Sequence, residues 1–170
     1  MSHFNFKDAK KEGILREENI VVRKAEFTDA ESIAKFNVKI AEETEGIKID
    51  RSVVLKGVEV VLKDPHRGFY LVAEKRNVVA KMVGQLMITF EWSDWRNKNF
   101  WWIQSVYVDK KYRNKKVFSR LYRRIVEMAK YREDVSGLRL YVEKHNKPAK
   151  QAYKALDMTK TPYEIYETKF

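Results

Sequence analysis

The stretch WWIQSVYVDKKYRNKKVF, residues 101–118, decides the fold that we expect of this chain. Its first eight residues, rich in Trp, Ile, Val and Tyr, predict a β-strand, and a basic turn follows. The next segment, from residue 115 to about 130, predicts a helix with one apolar stripe, formed by Val117, Leu121, Ile125 and Met128. Residues 138–143 predict a second strand, and Asn146 can cap a helix after it. This order of elements predicts a mixed α/β domain.

The rest of the chain adds predicted elements on both sides of this stretch. Before it we expect a strand at residues 20–23, a helix capped by Thr28 or Asp29, a helix at 50–63, and paired antiparallel strands at 69–74 and 78–90. The polar and aromatic residues 91–99 predict a turn, and Gly137 is expected to end the loop before the second strand. After Pro162, residues 164–170 predict a final strand.

Length and composition indicate a charged extension at residues 1–19 and a single domain at residues 20–170. The chain has no cysteine, and its three histidines are isolated in the sequence, so we expect no metal site. No apolar run approaches the roughly 20 residues of a membrane span, and charges interrupt the first 19 residues. We therefore expect a cytoplasmic protein without a membrane partner.

The positive charge is concentrated beside the basic turn. The formal net charge is +11, and between Lys110 and Arg132 ten Lys or Arg residues accompany one acid, Glu127. Such a field attracts anions, although a solvated helix face explains a charge run equally well.

The turn at residues 113–118 is the predicted phosphate site. Backbone amides and the dipole at a helix start bind anions without any special side chain. Lys115 and Lys116 are unfavourable at a helix start by about 0.3–1 kcal/mol each, and a bound pyrophosphate would turn that cost into attraction. The alternative is that both lysines extend into water.

These segments resemble the cofactor-binding core of the GNAT superfamily of N-acetyltransferases, whose turn reads Gln/Arg-x-x-Gly-x-Gly/Ala. Arg113 matches the first position, whereas Lys116 replaces the glycine and Phe118 the second small residue. The resemblance covers residues 20–170. It implies a mostly antiparallel sheet with helices on both faces, and two strands that diverge near Val108 and Val142 to admit acetyl-CoA.

The resemblance also implies which residues hold acetyl-CoA. The strand after Ser105 would be bulged, so that backbone groups pair with pantetheine and an amide polarises the thioester carbonyl. The implied cofactor residues are Val106, Tyr107, Val108, Arg113, Asn114, Lys115, Lys116, Val117 and Phe118, together with Asn146 and Tyr153.

Downstream, Tyr141-Val142-Glu143 followed by Asn146, Ala149, Tyr153 and Leu156 resembles the last motif of the family. The resemblance implies that Tyr153 donates a proton to the departing CoA thiolate and that Asn146 holds the pantetheine arm or the helix start. Core packing is the plain alternative for a tyrosine on an apolar helical stripe.

The acceptor site is predicted in the acidic and aromatic residues Glu91, Trp92, Asp94 and Trp95. Carboxylates interleaved with Trp suit an ammonium group through ion pairing and cation–π contact. Glu91, and after it Asp94, is the candidate base that deprotonates the amine. Gln104 stands where polyamine and thialysine acetyltransferases, which this region resembles, carry a carboxylate. A turn with solvated acids and packing tryptophans is the alternative.

We therefore expect direct acetyl transfer from acetyl-CoA to a primary amine, such as a polyamine or a lysine-like metabolite, while a protein or peptide amine stays open. The alternative is a catalytically degenerate CoA-binding or scaffold protein, because Lys116 and Asp157 replace expected glycines. Nucleic-acid binding is the least favoured, since no recognised motif accompanies the basic helix. A homodimer is compatible with the resemblance and with the aromatic content.

Overall fold

The computed structural model describes residues 19–76 and 78–170. Apart from Asn19, the predicted extension at residues 1–19 lies outside the described residues. The strands are β1 (Ile20–Lys24), β2 (Phe69–Lys75), β3 (Lys81–Ser93), β4 (Lys98–Val108) and β5 (Val135–Arg139). The α-helices are α1 (Ala30–Ile40), α2 (Arg51–Lys63), α3 (Val117–Lys130) and α4 (Lys147–Lys154), and a π-helical turn, Ala41–Glu45, extends α1.

The five strands form one sheet in the order β1-β2-β3-β4-β5, antiparallel except for the parallel pair β4–β5. One face packs against α1 and α2 around Ile33, Val58 and Val72, which are fully buried or nearly so. The other face packs against α3, whose Leu121 and Ile125 are fully buried. The predicted fold, a mostly antiparallel sheet with helices on both faces, is confirmed.

Local sequence signals explain where two helices begin. Asp50 accepts a hydrogen bond from the Ser52 amide at 2.7 Å, which caps α2. Asn146 accepts one from the Ala149 amide at 3.1 Å, and Pro148 sits in the first turn of α4, where no amide hydrogen is needed. The predicted cap at Asn146 is confirmed, whereas Asp50, predicted as the first residue of its helix, is the residue that caps it.

The predicted divergence of two strands is confirmed, but it begins earlier than expected. Pairing between β4 and β5 runs from Asn99–Val135 to Trp102–Arg139, and β4 then continues alone on that side as far as Val108. The predicted boundary of the second strand was therefore wrong, because β5 starts at Val135 and ends at Arg139. Gly137 lies inside this strand, where a Cβ atom would approach the Phe100 ring to 3.2 Å.

Two other predicted elements were wrong. Residues 91–99 do not form one turn, because β3 continues through Ser93 and β4 starts at Lys98, which leaves a tight turn between them. Residues 164–170 form no strand, since no neighbouring strand pairs with them among the described residues. A strand needs partners for its backbone groups, and sequence alternation alone does not supply them.

Candidate active site

A β-bulge in β4 sits at the centre of the candidate site. Gln85 pairs with Tyr107 and Met87 with Gln104, so β4 carries one residue more than β3 between these two pairs. Ser105 has a left-handed backbone with φ of 48°. The bulge implied by the resemblance is confirmed, and it lies where β4 no longer pairs with β5. Bulges interrupt the ladder and re-aim neighbouring groups, which leaves backbone of β4 available to a ligand.

The turn before α3 has the backbone geometry of an anion site. Asn114 and Lys116 are both left-handed, with φ of 62° and 57°, and turns of this kind direct successive amides into one concavity. Lys116 is the N-cap of α3 and makes no side-chain capping bond. The side chains of Asn114, Lys115 and Lys116 are exposed, while Val117 is buried in the core. The left-handed conformation explains why glycine suits position 116.

Arg113 ties this turn to the extension of α1. Its Nε donates to the Val108 carbonyl at 3.1 Å, and its Nη2 lies 2.6 Å from Glu43 Oε2. The Tyr107 hydroxyl donates to Glu43 Oε1 at 2.9 Å, and Lys110 Nζ is 3.5 Å from the same oxygen. We call Glu43, Tyr107, Lys110 and Arg113 the Glu43 cluster. It fixes the end of β4 against the segment that follows α1.

The Glu43 cluster shifts the ionisation of its members. Desolvation opposes ionisation of Glu43, but the hydrogen bonds from Arg113 and Tyr107 outweigh it and hold the pKa of Glu43 below its usual value. Burial, together with the Glu43 carboxylate, raises the pKa of Tyr107 to about 12. Glu43 is therefore a stable anion and Tyr107 a neutral donor at physiological pH.

Tyr153 and Phe118 come together from different helices. Their ring centroids are 5.6 Å apart in an edge-to-face arrangement, which joins α4 to the start of α3. Burial raises the pKa of Tyr153, so its hydroxyl carries a proton at neutral pH. Among the described residues, none forms a hydrogen bond with this hydroxyl. A protonated, unpaired phenol beside the predicted phosphate turn can serve as a proton donor.

A cavity of about 390 Å³ lies next to the bulge, between α1, α2 and the sheet. Its wall is mostly apolar and includes Ile40, Ala41, Ile49, Val54, Val58, Val61 and Met87. Its polar lining comes from Asn37, Tyr70, Ser105 and Glu45. Because Ser105 belongs to the bulge, the cavity reaches β4. The edge of β4 that is turned away from β3 faces the gap towards β5.

A network of neutral side chains stands behind the polar lining. Gln85 is fully buried, and its Nε2 donates to Asn37 Oδ1 at 2.7 Å and to the Ser105 carbonyl at 3.3 Å. Asn37 Nδ2 donates in turn to the Tyr70 hydroxyl at 3.4 Å. Gln85 Oε1 has no partner among the described residues. Burial raises the pKa of Tyr70, against hydrogen bonds from Asn37 and Ser105, so the network stays uncharged.

Asn37, Tyr70 and Gln85 were not predicted as site residues from the sequence. The available signal was a polar residue inside an apolar pattern, namely Asn37 on the inner face of α1 and Gln85 within the apolar strand β3. Buried polar groups are normally kept for hydrogen bonding, so each was a candidate for a site.

The structure separates the residues predicted to bind the acceptor. Glu91 and Gln104 lie on the same sheet face as Met87, whereas Trp92 lies on the opposite face, because side chains alternate along a strand. Asp94 and Trp95 are in the turn between β3 and β4, where Asp94 accepts from the Trp95 amide at 2.8 Å.

Glu91 already has cationic and neutral partners. Its carboxylate forms an ion pair with Arg139 and accepts from the Trp102 indole. Its neighbour on β4, Phe100, is five residues from Ser105, which corresponds to about 17 Å of extended strand. Gln104 lies closer to the bulge and hydrogen-bonds with Thr89 and Tyr141. The predicted acceptor residues therefore extend along the sheet away from the cavity.

The described part of the chain contains neither a cluster of metal-ligating side chains nor a helix that could span a membrane. Across residues 19–76 and 78–170, no three His, Cys, Asp or Glu side chains come together as a metal site requires. None of the helices in the same residues is long and apolar enough to cross a membrane.

Comparison with known proteins agrees with this geometry. The model of the acetyltransferase (GNAT) family matches residues 31–158. The chain belongs to the GNAT family of acetyltransferases. A possible acetyltransferase from Clostridium difficile 630 is 47% identical, with a TM-score of 0.81 over 90% of this chain and 99% of that one. No curated protein matches the sequence significantly.

More distant solved structures share the GNAT fold alone. A predicted acetyltransferase from Clostridium acetobutylicum, solved with acetyl-CoA, is 18% identical with a TM-score of 0.69, covering 88% of this chain and 96% of that one. Glucosamine-6-phosphate N-acetyltransferase from Arabidopsis thaliana is 16% identical with a TM-score of 0.67, covering 89% and 99%.

GNAT acetyltransferases use acetyl-CoA, and the residues of this chain fit it. The left-handed turn at Asn114 and Lys116 keeps the backbone conformation that a glycine would favour, and both side chains are exposed. The surrounding charge is positive, as pyrophosphate requires.

Proposed function

We propose that this protein transfers the acetyl group of acetyl-CoA directly to a primary amine that enters through the cavity between α1 and α2. One observation carries the proposal: the bulge at Ser105 lies between that cavity and the gap where β4 and β5 separate. An amine and a thioester approaching from the two sides would meet at β4. No covalent enzyme intermediate is needed for such a transfer.

The chain's own groups would bind and orient the reactants. Acetyl-CoA supplies the activated thioester. The amides of the turn at residues 113–117 would hold pyrophosphate, and the backbone of Val106, Tyr107 and Val108 would align pantetheine. A main-chain amide near the bulge would stabilise the negative charge that develops on the thioester oxygen as the amine attacks. Asn146 would act by fixing the start of α4.

Protons must move at two places. The amine nitrogen forms a bond to the acetyl carbon as the carbon–sulfur bond breaks, so the amine loses one proton and the thiolate gains one. Tyr153 is positioned near the phosphate turn and would supply the proton to sulfur. Glu91 and Asp94 stay predicted bases, and Glu45, which lines the cavity, is a third candidate that can act through water.

The cavity chemistry supports a small amine with an aliphatic body. Its apolar wall suits methylene groups, Glu45 can attract an ammonium group, and the neutral Asn37–Tyr70 end can accept hydrogen bonds from an amine. Polyamines and lysine-like metabolites have this character. Glu91, which pairs with Arg139, would in addition contact the far end of a longer acceptor.

The departures from the family turn also support an active enzyme. Lys116 adopts the left-handed conformation with its side chain exposed. Asp157, with φ of 60°, occupies the left-handed position after α4, where the Met158 amide bonds to the Tyr153 carbonyl and the Asp157 amide to the Lys154 carbonyl. Both residues thus meet the backbone requirement that favours glycine.

Calorimetric titration with acetyl-CoA at two salt concentrations tests the proposal, followed by a screen of primary amines for acetyl transfer. We expect micromolar binding that persists at high salt and turnover with short aliphatic amines. Binding without turnover of any amine would favour the scaffold alternative. Absence of binding at both salt concentrations would overturn the proposed function.

A further inference from the structure

We propose that Gln85 is a positioning residue for acetyl transfer: by holding the Ser105 carbonyl, it aims the Val106 amide into the gap between β4 and β5, where this amide meets the thioester oxygen. This role rests on the proposed function. It belongs to a buried side chain on β3 that would touch neither reactant, and it concerns the direction of a single peptide group at the bulge.

The direction of the Val106 amide follows from the pairing of β4. The Asp109 amide donates to the Val83 carbonyl on β3 at 2.9 Å, so the backbone of Asp109 faces β3. Backbone groups alternate between the two edges of an extended strand, and those of Val106 and Val108 therefore face the opposite edge. The Val108 carbonyl accepts from Arg113 Nε at 3.1 Å, a group outside the sheet, which agrees with this direction. The Val106 amide is thus turned towards the gap.

Gln85 holds the other end of the same peptide group. The Ser105 carbonyl and the Val106 amide belong to one planar trans peptide, in which the C=O and N–H bonds point in opposite directions. Gln85 Nε2 donates to this carbonyl at 3.3 Å from β3. The hydrogen bond therefore fixes the direction of the amide on the far side of the peptide. It also polarises the peptide group, which makes the amide a stronger donor.

Ser105 needs this support because the bulge weakens its backbone. Its φ of 48° is left-handed, a conformation that is unfavourable for a residue with a Cβ atom. The bulge also interrupts the regular ladder, since an extra residue of β4 lies between the pairs Gln85–Tyr107 and Met87–Gln104. Unfavourable backbone conformations persist at functional sites when the surrounding contacts enforce them. The hydrogen bond from Gln85 is one of these contacts.

The orientation of the Gln85 amide is itself fixed. Nε2 must face the Ser105 carbonyl, because a carbonyl oxygen can only accept, and Nε2 also donates to Asn37 Oδ1 at 2.7 Å. The second bond joins β3 to α1, and Asn37 lines the cavity in which the amine is proposed to bind. One side chain therefore supports both the bulge in β4 and the polar wall of the cavity.

Stability alone does not account for an amide at position 85. The residue is fully buried, and its Oε1 has no partner among the described residues. An unpaired polar atom in the core costs free energy, which an apolar side chain of similar length avoids. Met82 and Met87 on the same strand pack against the core beneath α1 and α2 as such apolar side chains. We attribute the glutamine to its hydrogen bonds at the bulge.

Gln85→Met tests the role, because it keeps the length of the side chain and removes the donor. One oxyanion donor contributes about 10²–10³-fold to kcat, so its misdirection should lower kcat by about tenfold or more. The amide acts mainly as charge develops, so the KM for the amine and the dissociation constant for acetyl-CoA should change by less than about twofold.

Val72→Ala is the matched control. Val72 is fully buried and lies directly opposite Gln85 on β2, but its side chain cannot form hydrogen bonds. Its truncation should lower the midpoint of denaturant unfolding and leave kcat as in the wild type. A loss of kcat in Val72→Ala equal to that in Gln85→Met would overturn the role, because packing alone would then explain both.

Infrared difference spectroscopy measures the hydrogen bond to the thioester without turnover. Acetyl-CoA labelled with carbon-13 at the acetyl carbonyl should show a C=O stretch at lower frequency when bound to the wild type or Val72→Ala than in water. We expect a smaller shift in Gln85→Met, which a loss of stability would not cause. An unchanged shift together with an unchanged kcat would overturn the role of Gln85.

Gln85→Glu is a second variant of the same shape. Burial raises the pKa of the introduced carboxyl, whose protonated form can donate to the Ser105 carbonyl and whose ionised form cannot. The ratio of its kcat to that of the wild type should therefore fall as the pH rises, and a constant ratio would contradict the role.

The wild type separates the two proposals. Turnover by the wild type with no effect of either substitution at position 85 refutes the role of Gln85 alone. Binding of acetyl-CoA without turnover of any amine refutes the proposed function alone, and the infrared shift then decides whether Gln85 aims the amide. Absence of acetyl-CoA binding overturns both.

Discussion

The turn at residues 113–117 is a proposed anion site made of backbone amides, whereas the cavity between α1 and α2 is shaped by side chains from separate elements. The turn requires two left-handed residues, and Asn114 and Lys116 provide them although neither is glycine. The cavity requires Asn37, Tyr70 and Gln85 to meet across α1, β2 and β3. A site made of backbone amides tolerates substitutions, because the amides do not depend on the side chains. In a site made of side chains, each side chain contributes to which ligand binds.

Tyr153→Phe is expected to have the largest effect, because the proposed transfer depends on a proton from the Tyr153 hydroxyl. Loss of a positioned acid lowers turnover by about 10²–10⁴-fold, and we expect kcat to fall by at least the lower figure. The dissociation constant for acetyl-CoA should stay unchanged, since the ring and its contact with Phe118 remain. Steady-state kinetics and calorimetry measure the two quantities.

The matched control for this change is Tyr131→Phe, at an exposed position just after α3. It should leave both kcat and binding as in the wild type. If Tyr153→Phe also left kcat unchanged, Tyr153 would have no part in the transfer, and the whole cofactor side would act through its backbone.

Glu43→Gln tests the side-chain cluster that joins the two regions. Charged hydrogen bonds contribute about 1.5–3 kcal/mol, so we expect the variant to lose about 1–2 kcal/mol of unfolding free energy at pH 7. The folded-state pKa of Glu43 is lowered, so its contribution is complete above the unfolded-state value of about 4.3. The contribution is then lost as the pH falls through the folded-state pKa.

Denaturant unfolding at a series of pH values measures this effect, with Glu42→Gln as the neighbouring control. The stability curves of wild type and Glu43→Gln should approach each other below about pH 4, while Glu42→Gln should follow the wild type throughout. Parallel curves for wild type and Glu43→Gln at all pH values would mean that the carboxylate charge does not stabilise the cluster.

Gly57 tests the proposal that the acceptor amine binds in the cavity. It lies within α2, lines the cavity, and a Cβ atom there would meet nothing within 4 Å. Gly57→Ala should therefore stabilise the helix by about 1 kcal/mol, as measured by denaturant unfolding. Gly57→Leu should in addition occupy the cavity and raise the KM for the amine, while acetyl-CoA binding stays constant. Equal amine KM values for the wild type and the leucine variant would place the acceptor elsewhere.

Features that depend on one segment of the sequence were predicted, whereas features that depend on how several segments pack together were not. The apolar stripe of α3 and the cap at Asn146 are local signals, and both were predicted from the sequence. The early end of β5 and the unpaired residues 164–170 depend on which strands lie alongside, which alternation does not reveal. The cavity combines residues that are far apart in the chain, and its polar members are recognisable once the elements are packed.

Lys116→Gly has the smallest expected effect and tests the backbone-built site most directly. A left-handed conformation costs a non-glycine residue about 1–2 kcal/mol, but glycine also adds about 0.5–1 kcal/mol of unfolded-state entropy. The variant should therefore be more stable by about 0.5 kcal/mol, with acetyl-CoA affinity within about threefold of the wild type, which is about 0.7 kcal/mol at about 1.4 kcal/mol per tenfold. Lys115→Gly removes the same charge at a position without positive φ, so it should lose stability. A large gain of affinity in Lys116→Gly alone would show that the lysine side chain obstructs the turn, and the site would then depend on its side chains as the cavity does.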